Sequence, residues 1–205
     1  MPFLNFIEKA VSAQGLDLHN KVISSNLYHH LLDEELNYLK QLNSIPKIAL
    51  DTNYPILLYP GSGSDILYPL FFLGIIDNLQ QATLIFIDIQ NNLGMIKSIL
   101  DDVGISFAED NNTIAFYWKK ILIRLEFRLN SFFSMELPRF DIYFERKFAI
   151  FREALENYEL KIVEALNKKG LIISDYGFKN FKFEQMTVPA GLSSYSEMIL
   201  GRKIT

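Results

Sequence analysis

An apolar run that stops abruptly in small residues limits what this chain can fold into. Residues Pro55 to Asp65 read PILLYPGSGSD, a buried-strand pattern opening into a turn made of Pro60, Gly61, Ser62, Gly63 and Ser64. Asp65 then leads into ILYPLFFLGII, whose apolar density suits a buried helix with Ser64 or Asp65 as its N-cap. Strand, bare-backbone turn and helix start follow in order, which in open α/β sheets is where ligands bind. Glycines serve such a turn because no Cβ keeps a ligand from the main chain and because positive φ is cheap for them. The alternative is a plain strand-to-helix connection.

The pattern narrows the ligand. A dinucleotide fingerprint needs glycine where Ile66 stands, and no lysine followed by Ser or Thr closes the turn as a P-loop requires. Asp65 would set a negative charge against a pyrophosphate, whereas a ligand with a positive group tolerates it.

Asp88 comes 23 residues after Asp65, at the end of a second strand pattern, Ala82 to Ile87. A carboxylate at the carboxyl end of a neighbouring strand can accept bonds from both hydroxyls of a ribose, while the plainer reading is an N-cap for the helix after it. In that helix Leu93, Ile96, Ile99 and Leu100 keep helical spacing.

With LLYPGSGSD followed by IFIDIQNNLGMI, the chain resembles the class I S-adenosylmethionine-dependent methyltransferases from about Tyr54 to Lys203. The resemblance implies an α/β, Rossmann-like three-layer sandwich with a mostly parallel central sheet, and the pattern departs from the family after Tyr176, where the spacing predicts antiparallel C-terminal strands. The resemblance also implies S-adenosylmethionine as cofactor, with Gly61 and Gly63 under its methionine part, Asp88 on its ribose and Asn130 near its adenine. Tyr59, Ser62 and Asp65 complete the implied cofactor-binding set. Tyr59 stands where the family usually carries an acidic residue, and Asp65 replaces a third glycine. Asp65 could supply the missing charge to the ligand's ammonium or sulfonium.

The rest of the chain alternates. Thr113 to Trp118 and Lys120 to Arg128 predict a hairpin turning near Lys119, and FDIYF (Phe140 to Phe144) a further strand. Phe148, Phe151, Leu155, Tyr158, Ile162, Ala165 and Leu166 predict one long helix from Phe148 to Lys168, closed by Gly170 as its C′ residue. Leu171 to Ser174 predict the fifth strand, ending in Asp175 and Tyr176. Too few residues then precede FKFEQMTV for a parallel return, so that segment predicts an antiparallel strand or an irregular cover, and Tyr195 to Lys203 a final antiparallel strand.

Residues 1–50 read as a helical extension and 51–205 as the Rossmann-like domain, with helices over Phe3 to Gln14 and Asn20 to Leu42. The resemblance implies methyl transfer to a small-molecule or protein acceptor. Methyl transfer asks for alignment and removal of a proton from the acceptor, so Glu145, Asp175 and Tyr176 are the catalytic candidates. Glu145 with Arg146 and Lys147 could instead be a solvated ion cluster. The other function class is a non-catalytic ligand-binding or protein-interaction module on the same fold. No Asn-Pro-Pro-Tyr or Asp-Pro-Pro-Tyr follows FDIYF, which disfavours methylation of nucleobase amino groups.

A net charge of -4 argues against a broad nucleic-acid face, and the lack of cysteine removes disulfides, thiolate nucleophiles and zinc-cysteine sites. His29 and His30 are adjacent and do not share a helix face, so no metal site is expected. The apolar runs are too short to span a bilayer and no signal-peptide pattern opens the chain; a cytoplasmic protein is expected.

Overall fold

A computed structural model describes residues 30–153, 155–186, 188 and 199–204. Along them run α1 (Asp33–Gln41), β1 (Ile56–Pro60), α2 (Leu67–Leu73), β2 (Gln81–Asp88), α3 (Leu93–Asp102), β3 (Phe107–Asp110) and β4 (Thr113–Trp118). There follow β5 (Ile121–Leu129), β6 (Phe140–Glu145), α4 (Ala149–Arg152), α5 (Tyr158–Ala165), β7 (Leu166–Ser174), β8 (Phe183–Gln185) and β9 (Ile199–Lys203).

The described strands form one mixed sheet in the order β3-β4-β5-β2-β1-β6-β7-β9-β8. Strands β5, β2, β1, β6 and β7 are parallel, with Ile56 beside Thr83 and Pro60 beside Ile87. The β3-β4-β5 edge is antiparallel, and β9 runs against both β7 and β8. From β1 the chain winds outward through β2, then returns to β6 on the other side of β1. The winding reverses between β1 and β6, where the carboxyl ends of strands open a crevice.

Parallel strands covered on both faces need apolar side chains on both. Leu57, Tyr59, Leu84, Phe86 and Phe144 pack with α1, α2 and α3 on one face. Leu58, Ile85, Ile87, Tyr143 and Ile172 pack with Phe148, Tyr158 and Ile162 on the other. The continuous hydrophobicity of ILLYP and TLIFI is thus the alternation of one strand between two cores.

Three expectations are corrected. The helical period over Phe148 to Lys168 holds only in two pieces, α4 and α5, and β7 already begins at Leu166. Phe140 faces Leu166 but Ile142 faces Leu171, so β7 bulges, with Lys169 at φ 57°. Gly170 is therefore a strand residue and no helix cap. A Cβ there would lie 2.9 Å from the Asp141 and Asn167 carbonyl oxygens. The helix expected from Asn20 to Leu42 is interrupted at its described end, because His30 to Leu32 form a turn and Glu35 Oε2 accepts a bond from the Leu32 amide at 3.1 Å. Phe3 to Gln14, the remainder of the second segment, and the loop from Pro189 to Tyr195 lie outside the described residues.

Candidate functional site

Strand β1 delivers the glycine turn to the carboxyl edge of the sheet. Gly61 donates its amide to Ile87 O at 2.8 Å, extending the parallel ladder by one bond, and both Gly61 and Gly63 hold positive φ, 59° and 53°. The two differ in what they face. A Cβ on Gly61 would run into the Phe148 ring, whereas no atom of the described residues lies within 4 Å of one on Gly63. The bare backbone at Gly61 is covered by the protein itself.

Neither Ser64 nor Asp65 is the N-cap of α2, which is Ile66. Asp65 still serves that helix start, because its Oδ1 accepts from the Tyr68 amide at 3.3 Å. Its Oδ2 accepts from the Tyr59 hydroxyl at 2.9 Å and stands 3.5 Å from Arg146 Nη1. Burial pushes the Asp65 carboxyl above its ordinary value, against the pull of Arg146 and Tyr59. Arg146 Nη2 reaches Glu35 Oε1 on α1 at 3.2 Å, and the guanidinium lies 3.4 Å over the Tyr68 ring centre. These groups border a cavity of about 370 Å³ that Tyr59, Gly61, Ser62 and Lys147 also line. Ser62 is 2% exposed, and its hydroxyl has no partner among the described residues.

Asp88 is not the cap of α3, whose N-cap is Asn92. It ties two loops together instead: Oδ2 accepts from Gly63 N at 2.8 Å and Oδ1 from Gln90 N at 2.9 Å. Asn130, at the end of β5, donates its amide to Asp88 O at 2.9 Å and accepts from Ser131 N through its side chain at 2.8 Å. Asp88, Gly63 and Asn130 thus meet at the ends of β2, β1 and β5, outside the Arg146 cavity. Beside them Ile89 is 73% exposed, an apolar side chain left open at the edge.

None of the three catalytic candidates lines the cavity. Glu145 is fully buried, bonded to Arg152 Nη1 at 2.7 Å, to Ser174 Oγ at 3.0 Å and to the Tyr143 hydroxyl. Burial holds its carboxyl above the ordinary value. Glu145 is thus neither a solvated ion cluster with Arg146 and Lys147 nor a group lining the cavity. Asp175 Oδ2 accepts from the Lys147 amide at 2.7 Å, and its buried Oδ1 has no partner among the described residues. The Tyr176 hydroxyl donates to Glu153 and accepts from Lys179 Nζ at 2.8 Å, outside the cavity lining.

Sequence reasoning missed Glu35, Tyr68, Phe148 and Arg152. Arg146 carried a signal, since it follows β6 directly at the sheet edge; Glu35 carried none, being 111 positions from the guanidinium it meets. Among the described residues no cluster of three His, Asp or Glu could hold a metal ion, and no helix is long and apolar enough to cross a membrane.

No family model and no curated protein matches the chain. Solved structures similar to it include a methyltransferase of Geobacter sulfurreducens, 16% identical with TM-score 0.47, covering 90% of this chain and 89% of that one. A hypothetical protein of Thermus thermophilus is 14% identical with TM-score 0.42, over 83% of this chain and 82% of that one. The YcgJ protein of Bacillus subtilis is 14% identical with TM-score 0.41, over 67% of this chain and 49% of that one. This chain therefore spans about half the length of YcgJ.

Proposed function

We propose that this chain is a methyltransferase-type, Rossmann-like domain that binds an adenosyl nucleoside at the carboxyl edge of its sheet, in the service of methyl transfer to a small-molecule or protein acceptor. The observation that carries the proposal is the meeting of Asp88, Gly63 and Asn130 at three parallel strand ends beside the exposed Ile89. A carboxylate there can receive ribose hydroxyls on its remaining lone pairs, and Ile89 offers an apolar face to a base. The mostly parallel core is the arrangement the methyltransferase resemblance implies.

The adenosine end of S-adenosylmethionine fits these residues. Its methionyl end does not fit while Phe148 covers Gly61 and while Tyr59 and Arg146 hold Asp65. No transfer step is derived through it for that reason. The same occupancy favours the second reading, a ligand-binding or interaction module without catalysis.

Titration calorimetry with S-adenosylmethionine and S-adenosylhomocysteine tests the first reading, and no heat with either at millimolar ligand would remove it. Asp88→Ala should weaken nucleoside binding by about 1.5–3 kcal/mol, the range for bonds to a charged group. It should also lower the melting temperature, because the Gly63 and Gln90 amides lose their acceptor. Lowered stability with unchanged affinity would leave Asp88 a loop tie only.

A further inference from the structure

The walls around the Arg146 guanidinium are built without its help. Glu35 accepts from the Tyr68 hydroxyl at 3.0 Å and from the Leu32 amide at 3.1 Å; Asp65 accepts from the Tyr59 hydroxyl at 2.9 Å and from the Tyr68 amide at 3.3 Å. Two carboxylates flanking an aromatic face make a receptor for a diffuse cation such as a guanidinium, an ammonium or a sulfonium. Arg146 stacks closely on the Tyr68 ring but holds the two carboxylates loosely. Its contacts of 3.2 and 3.5 Å, one nitrogen to each carboxylate, are longer than the roughly 2.7–2.9 Å of strong charge-assisted bonds. The receptor borders the cavity of about 370 Å³, whose buried Ser62 hydroxyl has no partner among the described residues. A buried, unpartnered hydroxyl in the wall of a cavity is a group that an incoming polar ligand would satisfy.

We infer that Glu35, Asp65 and the Tyr68 ring form a binding site for the cationic group of a ligand, which Arg146 fills in the free protein and vacates when the ligand enters. Exchanging one cation for another leaves both carboxylates paired, so the exchange avoids the penalty of a buried uncompensated charge. Because Glu35 lies on α1, a change of occupant also changes what tethers α1 to the sheet edge. The inference rests on the adenosyl reading only for the identity of the natural ligand, whose ammonium and sulfonium are cations of the required kind.

The test compares the full-length wild type with Arg146→Met and Arg146→Lys, using ethylguanidinium as probe and urea as its neutral counterpart. Thermal shift and calorimetry should show Arg146→Met binding ethylguanidinium at least tenfold more tightly than the wild type does, with no such gain for urea. Arg146→Lys should show no gain, since its ammonium fills the site. An equal response of wild type and Arg146→Met, or an equal gain in the Met and Lys variants, would overturn the inference. If Arg146→Met is too unstable to titrate, refolding in ethylguanidinium supplies the same readout, and absence of rescue overturns the inference equally. With nucleosides, Arg146→Met should bind S-adenosylmethionine at least tenfold more tightly than the wild type does. Ethylguanidinium binding with no nucleoside binding to either protein would sink the adenosyl reading and leave the cation site standing; nucleoside binding without the ethylguanidinium gain would do the reverse.

Discussion

Arg146 and Arg152 sit within two turns of sequence, and each meets two carboxylates, yet they do opposite things. Arg152 is locked: its side chain is 3% exposed, and it reaches Glu145 at 2.7 Å and Glu159 at 2.9 Å while also donating to Gly177 O. Tyr143, Tyr158 and Ser174 close the network on the apolar second face of the sheet. Arg146 is 13% exposed, makes longer contacts and borders a cavity. Short bonds in a dry setting hold α4, α5 and the loop after β7 together; long bonds beside a cavity leave an occupant that can be exchanged. Residue type and partner type are the same in both places, so the difference comes from burial and from what lies on the open side.

The largest effect should follow from removing the locked arginine. Arg152→Met leaves Glu145 buried without its counter-charge and should destabilise by about 3–5 kcal/mol in chemical denaturation. Arg146→Met should cost less, about 1.5–3 kcal/mol, because Glu35 and Asp65 each keep two other hydrogen-bond donors. Equal losses in the two variants would break the comparison.

The glycine turn sharpens it next, because Phe148 stands between the two arginines in sequence and covers one glycine only. Gly61→Ala should cost about 2–4 kcal/mol, from positive φ together with displacement of the Phe148 ring. Gly63→Ala meets open space and should cost about 1–2 kcal/mol from φ alone. Matching melting temperatures for the two would show that Phe148 yields without cost.

The smallest effect is on the acid side. Against burial, which would raise it, the Lys179 and Asn180 amides and Arg152 hold the Glu159 carboxyl below its ordinary 4.5. A carboxyl depressed by folding contributes stability above that value and loses it as pH falls through the folded value. Glu159→Gln should therefore flatten the fall of the denaturation midpoint as pH drops below 4.5. Glu35, lowered against burial by the Leu32 amide, Tyr68 and Arg146, acts in the same sense in the other cluster. A slope unchanged in Glu159→Gln would detach Glu159 from the locked network.

Much of the frame was legible because hydrophobic period and turn chemistry are local. PILLYPGSGSD marked β1 and the turn, TLIFID marked β2 ending at Asp88, and TIAFYW with ILIRLEFRL marked the hairpin at Lys119, whose φ is 56°. The reading failed where two periods overlap. Leu166 belongs to the helical series that ends in α5, yet it begins β7, because pairing with Phe140 wins over continuing the helix. Asp88 could be placed at a strand end from sequence, but its bond to the Gly63 amide depends on β1 and β2 lying side by side.

By itself the sequence determined a parallel α/β core with a glycine turn at its edge, since apolar runs bounded by Gly, Pro and Asp carry that information within a dozen residues. Only the tertiary structure decided which groups occupy the turn. Glu35, Asp65 and Arg146 converge from α1, the glycine turn and the end of β6, and Phe148 folds back onto Gly61. A salt bridge or a ring contact across such distances leaves no period in the chain, because Coulomb attraction and packing act on separation in space and not along the sequence.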